Sequence, residues 1–178
     1  MAPASELDRR GFLAAAAGAA AWLLAPGRAR AQGVPAAALP LLETSPFVYV
    51  SPLRKDGSES TCHGEVWFGW LDDSVVINTR RGTWKTVALR DRGLDRARIW
   101  VGDHGAWKTG LVGGGRNEAF RSAPSFDARA RFETDRAVLD RLLALYETKY
   151  AGGFGRWRED MRTGFYSGQR VLIRYEPT

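Results

Sequence analysis

Residues 47–79, FVYVSPLRKDGSESTCHGEVWFGWLDDSVVINT, decide the fold. Phe47, Tyr49, Ser51 and Leu53 alternate with Val48 and Val50, a two-residue period that predicts a strand. Lys55-Asp56-Gly57-Ser58 supplies a hairpin turn, since Asp-Gly tolerates positive φ. A second strand is expected from about Ser60 to Trp70. Leu71-Asp72-Asp73-Ser74 turns the chain again, and Val75–Thr79 is a third strand. Strands joined by tight turns in this way form an antiparallel meander. Along the second strand Cys62, Gly64, Val66 and Phe68 point one way and His63, Glu65, Trp67 and Gly69 the other. The first set suits an interior, which predicts Cys62 in the core. The second places an imidazole, a carboxylate and an indole in a row, suited to a pocket or a subunit interface.

Toward the C-terminus, Gly82-Thr83 opens a short helix from Trp84 to about Arg92, which Gly93 stops. Alternation returns at Ala97–Val101, and further strands are expected near Ala106–Gly110 and Ala128–Glu133. The bend at Gly113-Gly114-Gly115 lacks the preceding strand of a dinucleotide fingerprint and the Lys-Ser/Thr of a phosphate loop. Thr134 is the expected cap of the clearest helix, Asp135–Tyr150, with Leu139, Leu142, Leu143, Tyr146 and Tyr150 on its apolar face. A short helical segment over Arg156–Met161 and a last strand over Arg170–Tyr175 complete the pattern. A mostly antiparallel sheet with helices over its ends is the signature of a small barrel or α+β fold.

Before the domain lie two segments of different character. Asp8-Arg9-Arg10-Gly11-Phe12-Leu13 sets paired arginines ahead of the uncharged run Phe12–Ala25, the order of a twin-arginine (Tat) export signal. That run is short of the roughly 20 apolar residues a membrane-spanning helix needs. Pro26-Gly27 breaks it, and Ala29-Arg30-Ala31 offers a signal peptidase pattern with cleavage after Ala31. The expected organisation is a signal peptide over 1–31, a spacer over 32–45 with a short helix near Ala38–Leu42, and one domain over 46–178. Periplasmic location follows, with no stable membrane insertion after cleavage.

Cleavage would leave 147 residues and lower the formal charge from +6 to +4. That length is one ordinary domain, able to bury a core without staples. A single cysteine, Cys62, excludes an internal disulfide and a multi-cysteine metal site. His63 and Glu65 are two potential metal ligands, too few for a site, and His104 is expected on a surface turn. The arginines are scattered rather than gathered in a basic stripe, which argues against nucleic acid as a partner.

The densest candidate site is the strand-to-helix corner Thr79-Arg80-Arg81-Gly82-Thr83-Trp84-Lys85. A helix N-terminus presents unpaired N–H groups and the positive end of the helix dipole, so cations in its first turn are unfavourable by about 0.3–1 kcal/mol each. An anion between Arg80, Arg81 and Lys85 resolves that conflict, and a phosphate is the usual one. Gly82 permits close backbone approach. From charge alone the corner reads equally as an anion site or as a solvated basic turn whose helix Thr83 caps. Of the tryptophans, Trp67 and Trp84 are expected near this corner.

These motifs give the chain, from about Phe47 to Tyr175, a resemblance to the pyridoxamine 5′-phosphate oxidase-like family of flavin-binding split β-barrels. The residues that carry it are the turn Leu53-Arg54-Lys55-Asp56-Gly57, the strand end Val66-Trp67-Phe68, the strand Val75–Thr79, and the corner Arg81, Gly82 and Lys85. The strand Arg98-Ile99-Trp100-Val101-Gly102, Lys149-Tyr150 and Arg174-Tyr175-Glu176-Pro177 add to it. The resemblance implies a six-stranded antiparallel split barrel with flanking helices, paired as a homodimer with FMN, or in relatives a deazaflavin (F420), between subunits. It places the cofactor phosphate at Thr79, Arg80, Arg81, Thr83 and Lys85, and runs Val66 and Trp67 beside the flavin ring. In this class the flavin transfers the hydride to a small-molecule substrate while the protein supplies position and electrostatics, so no side chain is nominated as catalytic acid or base. No match is found for the substrate phosphate-binding Arg/His set of the pyridoxamine oxidases. A non-catalytic carrier of haem or another planar ligand, with His63 and the tryptophans as its support, is the alternative reading. A cofactor-free dimer with a structural role is a third.

Overall fold

The computed structural model describes residues 33–105 and 118–178. The expected signal peptide, the strand expected near 106–110 and the glycine bend at 113–115 lie outside the described residues.

Among the described residues, seven strands form one antiparallel sheet. They are β1 (Val48–Pro52), β2 (Gly64–Val66), β3 (Gly69–Leu71), β4 (Ser74–Arg80), β5 (Arg96–Val101), β6 (Ser125–Glu133) and β7 (Arg170–Pro177), ordered β2-β1-β5-β6-β7-β4-β3. The two edge strands are neighbours in sequence, with only Trp67 and Phe68 between them. Seven flat strands would separate the edges by about 29 Å at ~4.8 Å per strand, whereas the link from Val66 to Gly69 spans at most about 10 Å. The sheet therefore curls until its edges meet along residues 64–71.

This explains why the described residues hold seven strands and not the expected six. The run expected as one strand over Ser60–Trp70 is interrupted at Trp67-Phe68, where backbone groups turn to side chains of a distant helix. The Phe68 N–H donates to Tyr150 Oη at 3.1 Å, and the Trp67 carbonyl accepts from Tyr146 Oη at 2.9 Å. One half then pairs with β1 (Val48 opposite Val66) and the other with β4 (Gly69 opposite Val76). The strand also starts later than expected. The Ser60 hydroxyl accepts from the Cys62 N–H, a local turn that competes with sheet pairing, and Cys62 is exposed rather than in the core.

The helices are α1 (Leu39–Thr44), α2 (Trp84–Arg92), α3 (Arg136–Lys149) and α4 (Gly155–Tyr166), with a 3₁₀ turn at Ala119–Ser122. The α2 boundaries agree with the sequence expectation, and Gly93 closes it at φ 61°, a left-handed conformation cheap only for glycine. The cap of α3 is Asp135, whose carboxylate accepts from the Ala137 N–H at 2.8 Å; Thr134, the expected cap, lies one residue outside. The second C-terminal helix, α4, runs on to Tyr166, beyond the expected Met161.

Two apolar clusters hold these layers together. Val48, Val50, Phe68, Ile77, Ile99 and Ile173 fill the inside of the curl. Leu139, Leu142, Leu143 and Tyr146, at helical spacing on α3, bury Val76 and Leu172 on the outer face of β4 and β7. A Cβ on Gly69 would stand 2.6 Å from Leu142 Cδ1, so the missing side chain lets α3 lie close over β3.

Candidate functional site

The β4–β7 pairing builds the candidate site. Arg80 stands opposite Arg170 and Thr79 opposite Val171, and the Arg81 N–H donates to the Gln169 carbonyl at 2.9 Å. The chain then turns at Gly82 into α2. Thr79, Arg80, Arg81, Gly82, Thr83, Trp84 and Lys85 therefore do converge on one corner.

The Thr83 hydroxyl does not cap α2. It donates to the Arg80 carbonyl at 3.0 Å and lies 3.2 Å from the hydroxyls of both Thr79 and Thr86, which fixes the turn from inside. The N–H groups of Gly82, Trp84 and Lys85 accordingly find no acceptor among the described residues. Lys85 is 9% exposed, pairs with no carboxylate among the described residues, and has its ammonium 5.5 Å from the centroid of the Trp84 ring. Burial lowers its pKa. Trp84 in turn covers β2, its ring lying 3.2 Å from where a Cβ on Gly64 would stand. A buried cation beside three unanswered N–H groups is unfavourable alone and suits an anion with several acceptor oxygens.

The other expected site residues lie on different surfaces. Trp67 belongs to the α3 layer, stacked on Tyr150 at 4.7 Å between centroids and edge-on to Tyr146 and Phe154. Val66 packs against the inner core. His63 meets Phe120 at 4.7 Å, and its Nδ1 is buried with no hydrogen-bond partner among the described residues. Beside it, Tyr49 Oη donates to Glu65 Oε2 at 2.8 Å and accepts from the His104 N–H at 2.9 Å. His104 is half-buried there rather than on a surface turn. Burial raises the pKa of Glu65 against the opposing Tyr49 hydrogen bond.

Sequence reasoning missed the residues across the corner. A cavity of about 440 Å³ is lined by Arg81, Thr86 and Arg90 from the corner and α2, Phe132, Glu133 and Thr134 from the end of β6, and Phe165, Gly168, Arg170 and Val171 from the α4–β7 junction. Only the sheet register brings these segments together, and short-range spacing carries no signal of it.

No family model and no curated protein matches this sequence. Solved structures do. ChuZ from Campylobacter jejuni aligns with a TM-score of 0.51 and 11% identity, over 79% of this chain and 51% of that one. An F420 reductase aligns with a TM-score of 0.47 and 18% identity, over 82% and 96% of the two chains. HutZ, the haem storage protein from Vibrio cholerae, aligns with a TM-score of 0.47 and 11% identity, over 79% and 87%. The ChuZ likeness is one of fold, a curled antiparallel sheet with flanking helices.

Proposed function

We propose that this chain is an exported, FMN-dependent oxidoreductase or reductase of the pyridoxamine 5′-phosphate oxidase-like class, acting as a homodimer. The observation that carries the reading is the corner itself: buried Lys85 without a carboxylate partner among the described residues, beside the free N–H groups of Gly82, Trp84 and Lys85. Lys85, Arg80 and those N–H groups would hold the phosphate, with Arg81 at the margin. Anchoring there uses the helix dipole and charge-assisted hydrogen bonds, each stronger than a neutral one. The flavin, when bound, supplies the hydride chemistry. The chain's share is to fix the phosphate end, with Trp84 packed between Gly64 and the Lys85 ammonium. Export by the Tat route accords with this reading, because a cofactor loaded in the cytoplasm requires the domain to cross folded.

The test is FMN titration of the purified protein, followed by flavin absorbance and fluorescence. Saturable uptake is expected, weakened at least tenfold by Lys85→Ala and also reduced by Arg81→Ala. A protein that is colourless from its native periplasm and takes up no flavin would overturn the proposal. A Soret band on haem addition that vanishes in His63→Ala would replace it with the carrier reading.

A further inference from the structure

We propose that the 440 Å³ cavity behind the corner is a second site, which takes a small planar carboxylate of one or two fused aromatic rings. This goes beyond the flavin reading and stands without it. The cavity adjoins the phosphate corner, with Arg81 at the boundary between them, and opens on another face of α2 from Lys85. Thr86 and Arg90, one turn apart, face the cavity, whereas Lys85 is about a quarter turn away beside Trp84.

The charge balance of the wall favours an anion. Arg81 makes no ion pair among the described residues, and the charge of the exposed Asp91 acts on it only from beyond ion-pair distance. Arg170 is held by Asp160 at 2.6 Å and by Asn78, and Arg90 by Asp91. Glu133, the one carboxylate in the wall among the described residues, is already spent. Burial would raise its pKa, but the Asp135 N–H and Arg174 more than offset this and hold it low and charged. One guanidinium thus lines the cavity without an ion pair among the described residues.

Shape and composition favour a ring. Phe132 from β6 and Phe165 from α4 are half-buried and contribute flat apolar surface to the wall. Gly168, at φ 74°, turns the chain from α4 into β7, and a Cβ there would stand 3.8 Å from Arg81 Nη1. Its lack of a side chain leaves the guanidinium open toward the cavity. The volume lies at the small end of the range for small-molecule sites, about 300–1,000 Å³, enough for a substituted naphthalene and too small for a dinucleotide.

The experiment is calorimetric titration of the full chain with 2-naphthoate and with its neutral counterpart naphthalene-2-methanol, each with and without saturating FMN. Naphthoate is expected to bind at least tenfold tighter than the alcohol, with and without FMN. Arg81→Gln, an exposed position whose replacement leaves the core intact, should abolish the preference for the carboxylate. Phe165→Leu, checked for folding by circular dichroism, should weaken both ligands. No heat with naphthoate up to millimolar concentration would overturn the proposal, as would equal affinity for the two ligands or a preference that survives Arg81→Gln. Displacement of naphthoate by FMN would also overturn it, by making the cavity part of the flavin site. A protein that binds naphthoate but no FMN would sink the flavin reading alone.

Discussion

Lys149 shows most directly how single residues are conditioned by what packs on them. Its ammonium lies 3.4 Å from the centroid of the Phe68 ring and donates to the Phe68 carbonyl at 3.5 Å, and burial pushes its pKa down to about 8. An unfolded lysine titrates near 10.4. Between these values the unfolded chain binds a proton that the folded chain does not, so the contribution of Lys149 to stability rises with pH across roughly pH 8 to 10. Lys149→Met removes that dependence. We expect the variant to gain most over the native chain at pH 7, with the gain narrowing as pH approaches 10. Urea midpoints at pH 7, 8.5 and 10 measure this, and parallel pH profiles for the two proteins would contradict it. Above pH 10 the buried tyrosines act in the opposite sense. Burial raises the pKa values of Tyr150 and Tyr175, which makes the folded state keep protons that the unfolded state has lost.

At the scale of elements, boundaries depend on which side chain reaches a free backbone group. Thr134 and Asp135 are both acceptable cap residues, and the sequence does not distinguish them. The structure does, because Glu133 Oε1 already accepts from the N–H groups of Thr134 and Asp135, leaving the Asp135 carboxylate to meet the Ala137 N–H. Asp135→Ala is therefore expected to cost about 1 kcal/mol, within the usual range for a lost N-cap, while Thr134→Ala costs a few tenths at most. Chemical denaturation of the two variants decides between the caps. Strand β1, the sheet's alternation over Arg96–Val101, helix α2 with its Gly93 stop, and the apolar stripe of α3 were all legible, since each rests on neighbours within a few residues. The break at Trp67-Phe68 was not, because the groups that cause it are Tyr146 and Tyr150, some 80 residues away.

For the whole molecule, the curl of the sheet follows from the short link between its edges, and the outer surface divides between two coverings. Helices α3 and α4 cover β4 and β7, while the β1–β2–β5 face carries Tyr49, Glu65, His63 and Trp100 under the 3₁₀ turn at Phe120. Light scattering should return twice the mass of one chain, and a strictly monomeric protein would contradict the dimer. Export is tested separately: Arg9→Lys with Arg10→Lys is expected to hold the protein in the cytoplasm as an uncleaved chain, and unchanged secretion would argue for another route.

The sequence by itself determined the class of fold, the order of most elements and the cluster of cations at the β4–α2 corner, because alternation, helical spacing and turn chemistry act over a few residues. Only the tertiary structure decided which of the named residues share a surface. It moved Trp67 into the α3 layer and Cys62 to the exterior, left Lys85 buried without a partner carboxylate among the described residues, and opened a cavity between Arg81 and residues near position 168. For the corner and the cavity the physical reason is the register of β4 against β7. Arg80 meets Arg170 across that ladder, a pairing that depends on how the whole sheet curls and leaves no trace in local spacing.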